Sequence, residues 1–114
     1  MWRSAHKRGA TFEVTNPARG DVIAEVASIG RAQLGRAIEA AATAQKEWAK
    51  KTAKERAVIL RRWYDLMMAN QEDLAIIMTA EQGKILAESR GEVAYGAAFV
   101  EWFGEQAKRI DGDV

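Results

Sequence analysis

The stretch EQGKILAESRGEVAYGAAFVEWFGEQAKRIDGD, residues 81–113, carries the most regular helical pattern in the chain. Small or apolar residues recur at Val93, Gly96, Val100, Phe103, Ala107 and Ile110. Their spacing alternates between three and four, which lays them along one face of an α-helix. A second row, Tyr95, Phe99 and Trp102, runs beside this seam. A helix with two apolar rows has to be covered on more than one side, and 114 residues provide little chain to do it. The pattern predicts a helix from Leu86 to Arg109, with Gly96 on the seam admitting the close approach of another backbone.

Reading outward from that helix, Gly83 suits the left-handed residue that closes a preceding helix. That helix has Glu72 and Asp73 in its first turn, where acids suit the helix dipole, and Leu74, Ile77 and Met78 as its expected buried face. Asn70 is expected to end one helix and cap the next. Upstream, Thr52-Ala53-Lys54-Glu55 matches a capping box and opens a helix with Ile59, Trp63, Leu66 and Met67 on its apolar face. Another helix is expected over Arg31–Lys50, with Gly30 as N-cap and Leu34, Ile38, Ala41 and Trp48 on one face. Before it, Phe12 to Val26 reads as a hairpin. FEVT and DVIAEVAS alternate as half-buried strands do, and Asn16-Pro17-Ala18-Arg19-Gly20-Asp21 is turn chemistry. Residues 1–11 read as a flexible basic tail. The fold class is therefore mainly α: a short N-terminal hairpin followed by four helices.

Composition removes several function classes. The chain is 48% hydrophobic and 29% charged, as globular proteins are, and has no cysteine and one histidine, His6. No disulfide framework and no Cys/His metal cluster can be built from it. No apolar run reaches the roughly 20 residues of a membrane-spanning helix, and the basic first ten residues have no apolar core of a secretory signal. The expected compartment is the cytoplasm. Net charge is +1, but residues 1–71 carry 13 Lys/Arg against 7 Asp/Glu and residues 72–114 carry 4 against 9. The expectation is that the two halves attract and pack; no nucleic-acid docking motif accompanies the basic half. Glu88 and Glu92, and Glu101 and Glu105, stand one helical turn apart. Such pairs do acid–base chemistry when a buried site separates their pKa values, and on a helix surface they are solvated or matched to cations such as Arg90, Lys108 and Arg109. There is no Gly-rich phosphate loop and no nucleophile elbow.

The chain resembles the N-terminal part of an aldehyde dehydrogenase, with the bacterial succinate-semialdehyde dehydrogenases as the most similar branch. The resemblance rests on FEVTNPARGDVIAEV, AIEAAATAQKEWAKKTAKERAVILRRWYDLM and NQEDLAIIMTAEQGKILAESRGEVAYGAAFVEWFGEQAKRIDGD. Asn16-Pro17, Trp48 and Glu81-x-Gly83-Lys84 are superfamily landmarks, and Gly91–Tyr95 with Phe99–Phe103 point to the semialdehyde branch. Ile85 stands where a proline usually follows Gly-Lys, residues 1–10 differ from the family's lead-in, and family members continue well beyond Val114.

The resemblance implies that residues 12–114 are the N-terminal helical segment of an α/β cofactor-binding domain that is incomplete here. It implies an enzyme in which a cysteine attacks the aldehyde, the thiohemiacetal passes hydride to NAD or NADP, and water activated by a glutamate releases the acid. A cysteine is needed for that covalent step, and this chain has none. Catalytic and cofactor-binding residues are therefore expected to lie outside this chain, which alone is expected to be inactive and to bind no cofactor. The last helix resembles one bordering the substrate entrance, which makes Tyr95, Phe99 and Trp102 candidates for that wall; ordinary core or inter-domain packing is the alternative for each. The implied partners are the remainder of a homo-oligomeric dehydrogenase, or further copies of this chain meeting through exposed apolar surface. The competing reading is a freestanding, non-catalytic helical interaction module derived from the same scaffold.

Overall fold

The computed structural model describes residues 9–109. The order is β1 (Thr11–Thr15), β2 (Val22–Ala27), α1 (Arg31–Lys50), α2 (Ala53–Ala69), α3 (Gln71–Gln82) and α4 (Leu86–Gln106). This is the expected hairpin and four helices. Pairing begins at Thr11 opposite Ala27, and the Ser28 amide donates to the Ala10 carbonyl at 2.7 Å. Ala10 and Thr11 thus belong to the hairpin and not to the tail; residues 1–8 of the expected tail lie outside the described residues. So does Ile110, the last position of the expected seam. α4 ends at Gln106, three residues short of the expected Arg109.

β1 and β2 are antiparallel, with Phe12 opposite Val26 and Val14 opposite Ala24 on one face. The register shifts between Val14 and Thr15, which pairs with Val22 and leaves Ile23 as the extra residue of a bulge. Glu13 faces Glu25, a like-charged pair that weakens the ladder. A two-stranded hairpin is marginal by itself; here the turn braces it. The Asn16 side chain accepts from the Ala18 and Arg19 amides at 2.9 and 3.3 Å. The Asn16 amide donates to the Asp21 carbonyl at 2.9 Å, and Arg19 makes a two-pronged ion pair with Asp21 at 2.7 and 2.8 Å. That pair holds the Asp21 carboxyl below its ordinary value.

α1 starts where Gly30 donates its amide to Gln33 Oε1 at 3.2 Å. It buries no residue and makes no extended contact with another element. Its stripe of Leu34 and Ile38 stays exposed, with Trp48 half-buried. The capping box of α2 forms as expected: the Glu55 amide donates to Thr52 Oγ1 at 3.3 Å, and Glu55 Oε2 accepts from the Thr52 amide at 2.7 Å. That amide, with the Thr52 hydroxyl, holds the Glu55 carboxyl low. Asn70 closes α2 through its side chain, which donates to the Leu66 carbonyl at 2.8 Å. It does not cap α3 with that side chain: its backbone, at φ −111° and ψ 20°, is not in the extended conformation a capping residue adopts. Gly83 closes α3 at φ 77°, in the left-handed region.

The packed part of the chain is α4 lying against both α2 and α3, while α2 and α3 barely touch. Its centre is made of small side chains. Ala57, Ala75, Ser89, Val93, Ala97 and Gly104 are the buried residues of these helices. Gly104 is where backbones come closest: a β-carbon there would lie 3.3 Å from Leu60 Cβ and 3.9 Å from the Ala57 carbonyl oxygen. Gly96 meets only the end of Met67, at 3.9 Å, so the expected close approach belongs to Gly104 instead.

Three expected faces are corrected for one physical reason. The closest approach is made over small residues, Ala57, Ala75, Ala97 and Gly104, and several of the larger apolar residues expected to face inward are turned outward. On α4 the inward line is Ser89, Val93, Ala97, Val100, Gly104 and Ala107, and Phe103 leaves the seam for the exposed side. On α2 the inward residues are Ala57, Leu60, Tyr64, Met67 and Met68, whereas Ile59, Trp63 and Leu66 are exposed. On α3 Ala75 is buried and Met78 and Thr79 are half-buried, whereas Leu74 and Ile77 are exposed.

Polar contacts fasten the three helices. The Thr79 and Ser89 hydroxyls are hydrogen-bonded at 2.8 Å, with Ser89 fully buried. Arg90 makes a two-pronged pair with Glu72 at 2.7 Å on both arms, and Gln71 donates to the Arg90 carbonyl at 3.0 Å. Arg61 joins α2 to α4 through Glu101 at 3.2 Å, an ion pair between the basic and acidic halves.

The whole remains open. The accessible area is 9583 Å² for a mass of 12.6 kDa, where a compact protein of that mass exposes about 6,200 Å². The radius of gyration is 18.2 Å, against about 13 Å for a compact domain of this length.

Candidate functional site

The outward side of α4 is the most distinctive surface of the described chain. Turning Ser89, Val93, Ala97 and Gly104 inward forces Tyr95, Ala98, Phe99, Trp102 and Phe103 onto the opposite side of the same helix. Together they line an open groove of about 330 Å³. Tyr95 is 68% exposed, Phe99 48%, Trp102 61% and Phe103 59%, so all four aromatic residues are open to solvent. The Tyr95 and Phe99 rings meet edge to face, with centroids 5.0 Å apart and planes at 89°, an arrangement aromatic pairs favour. Sequence reasoning grouped Tyr95, Phe99 and Trp102, and the structure brings those three together. It missed Ala98 and Phe103. The step of four from Phe99 and the adjacency to Trp102 were the available signals, but the three–four rhythm assigned Phe103 to the seam.

The groove is an apolar wall that offers no cation. A second open groove, about 590 Å³, lies at the end of α1 among Ala41, Ala44, Gln45, Glu47, Trp48 and Lys51. Neither fits a dinucleotide: the first has no group to hold a pyrophosphate, and the lining of the second includes the Glu47 carboxylate, which is paired with Lys50 at 2.7 Å. No hydride-transfer step can be derived through these side chains.

The acid pairs on α4 do not converge on a site either. Glu92 pairs with Lys84, Glu101 with Arg61, and Glu105 with Lys108 at 3.7 Å. Arg90, one of the cations expected to serve them, is taken by Glu72, and its hydrogen bonds hold the Glu72 carboxyl below the ordinary carboxylate range. Arg61 also reaches Asp65 at 3.2 Å and lies 5.1 Å from the Tyr64 ring centre. Among the described residues no group of three His, Cys, Asp or Glu side chains could hold a metal ion, and no helix is long and apolar enough to cross a membrane.

An inward line of small residues, an outward aromatic wall and a Gly-Lys corner after α3 agree with the resemblance read from the sequence. The aldehyde dehydrogenase family matches residues 2–114, and the chain belongs to that family, corresponding to its N-terminal region. It is 57% identical over 99% of its length to 3-sulfolactaldehyde dehydrogenase of Pseudomonas putida, which it covers to 23%. It is 60% identical to glutarate-semialdehyde dehydrogenase of Pseudomonas aeruginosa, with 92% of the chain and 22% of that protein aligned. It is 52% identical to succinate-semialdehyde dehydrogenase of Escherichia coli, a protein named for NADP(+), with 98% of the chain and 23% of that protein aligned. The crystal structure of an aldehyde dehydrogenase from Brucella melitensis biovar abortus superposes with a TM-score of 0.89 at 60% identity, over 91% of this chain and 22% of that one. The chain thus spans less than a quarter of the length of these relatives.

Proposed function

We propose that this chain is the N-terminal scaffold of an NAD(P)-dependent, cytoplasmic semialdehyde dehydrogenase that oxidises succinic semialdehyde to succinate when the whole protein is assembled. The carrying observation is the 52–60% identity, over more than nine-tenths of the chain, to dehydrogenases named for semialdehydes. The names of the relatives share a chemical theme: a short aldehyde with an acidic group at its other end. The catalytic cysteine and the cofactor loop are supplied from outside this sequence, since the sequence contains no cysteine.

In this reading Tyr95, Phe99 and Trp102 border the substrate entrance. Their support is exposure on one side of α4 and a shared groove with Phe103. Such a wall contacts the methylenes of a semialdehyde, while the acid group is held by a cation elsewhere. Around that entrance the rest of the apolar surface is covered in the assembled protein by the remainder of the dehydrogenase, and in the isolated chain by further copies of itself.

The test is to read the gene in frame past Val114 and to assay the polypeptide it encodes. A continuation with a cysteine and a glycine-rich loop, and reduction of NAD or NADP with succinic semialdehyde, support the reading. A stop codon at that point would favour the freestanding module. Faster turnover of glutaric semialdehyde would keep the enzyme and replace its substrate.

A further inference from the structure

We propose that the Asn16–Asp21 turn and the Gly83 corner form a latch that fixes the orientation of the hairpin on the α2–α4 unit. The contact is between Pro17 and Gly83: a β-carbon built on Gly83 would lie 2.9 Å from Pro17 Cγ and 3.8 Å from Pro17 Cβ. Only a residue without a side chain allows the ring to sit there.

Both sides of this contact are stiff. On the hairpin side, the Asn16 side chain closes the turn onto the Ala18 and Arg19 amides, and the Arg19–Asp21 pair clamps it from outside. Proline adds a fixed φ at the point of contact. On the helix side, Gly83 sits at φ 77° and its N–H donates a hydrogen bond to the Thr79 carbonyl at 2.9 Å. Its neighbour Lys84 is tied to Glu92, one turn inside α4.

The contact has leverage because little else competes with it. Neither strand makes an extended contact with a helix. β2 runs into α1 across Ser28–Gly30, so holding the turn also limits where α1 can begin.

The absence of cysteine lets spin labels be placed cleanly on this chain. Labels at Glu25→Cys on β2 and Glu88→Cys on α4, both exposed positions, report the distance from hairpin to helices. A second pair, Lys54→Cys with Glu88→Cys, reports on α2 and α4 alone. The labelled chain is diluted into unlabelled chain so that only intramolecular distances are read. The latch predicts one narrow hairpin distance in the parent and roughly a doubling of its width in Pro17→Ala and in Gly83→Ala, with the helix pair unchanged. Carrying both substitutions should broaden the distance by less than the sum of the two single effects, because the new β-carbon no longer meets a ring. A broad distance in the parent, unchanged width in both variants, additive broadening in the double variant, or equal broadening of the helix pair would each overturn the proposal.

Discussion

Pro17 and Gly83, one in the hairpin turn and the other at the end of α3, lie so close that a β-carbon on Gly83 would come within 2.9 Å of Pro17 Cγ. The two residues belong to two separate sequence landmarks, Asn16-Pro17 and Glu81-x-Gly83-Lys84. The structure shows a physical reason why these landmarks go together: each is the other's contact surface.

Gly83→Ala should therefore destabilise the chain twice over. The left-handed backbone costs a residue with a β-carbon about 1–2 kcal/mol, and the clash with Pro17 adds to it. Chemical denaturation should show a loss of at least about 1 kcal/mol, from the backbone term alone. A neutral or stabilising substitution would mean that the corner relaxes freely.

Gly96 and Gly104 lie on the same helix and should respond in opposite directions. At Gly96 the nearest atom to an added β-carbon is the flexible end of Met67 at 3.9 Å, so Gly96→Ala should stabilise α4 by up to about 1 kcal/mol through helix propensity. At Gly104 the neighbour is Leu60 Cβ at 3.3 Å. Gly104→Leu should push α2 off α4 and cost about 1–3 kcal/mol. Thermal unfolding of the two variants checks this, and the reverse order would restore the seam first read from the sequence.

That pair of glycines also marks what the sequence could and could not reveal. Element boundaries were legible because they are set locally: the Thr52–Glu55 box, the left-handed Gly83 and the turn at Asn16-Pro17 all act within a few residues. The faces were not legible. Spacing identifies apolar rows, and α2, α3 and α4 each have more than one. Which row turns inward depends on how closely another helix approaches, and Ala57, Ala75, Ala97 and Gly104 won that place because they are small. The large residues Trp63, Ile77 and Phe103 would have been chosen by hydrophobicity alone. The aromatic wall was legible in part, since Tyr95, Phe99 and Trp102 are a simple three–four row.

Acid should loosen the join between α3 and α4. The Glu72 carboxyl is held below its ordinary value by hydrogen bonds from Arg90. A carboxylate with a lowered folded value contributes stability above the ordinary carboxylate range and loses it as pH falls through that lowered value. Replacing Glu72 by Gln should thus cost stability at pH 7 and cost little well below about pH 4, where the wild-type acid is protonated as well. Urea unfolding of both proteins at the two pH values measures the difference. A penalty that persists in acid would assign Glu72 a role other than its pairing with Arg90. Because both side chains are well exposed, added salt should shrink the effect at pH 7.

Trp102 and its neighbours pose the central question, because they form a contiguous aromatic wall open to solvent. Burying a large apolar side chain is worth roughly 1.5–3 kcal/mol, and contiguous apolar patches mark interfaces. The direct measurement is sedimentation of the 114-residue chain over a range of concentrations, with quenching of tryptophan fluorescence by a soluble quencher alongside. With Trp2, Trp48 and Trp63 replaced by Phe so that only Trp102 reports, we expect the sedimentation coefficient to rise with concentration and Trp102 to become shielded as it does. Replacing Phe99 and Trp102 by Ser should abolish the rise of the sedimentation coefficient with concentration. A monodisperse monomer at high concentration, with Trp102 already shielded from the quencher, would contradict the account by showing that the chain closes its own core.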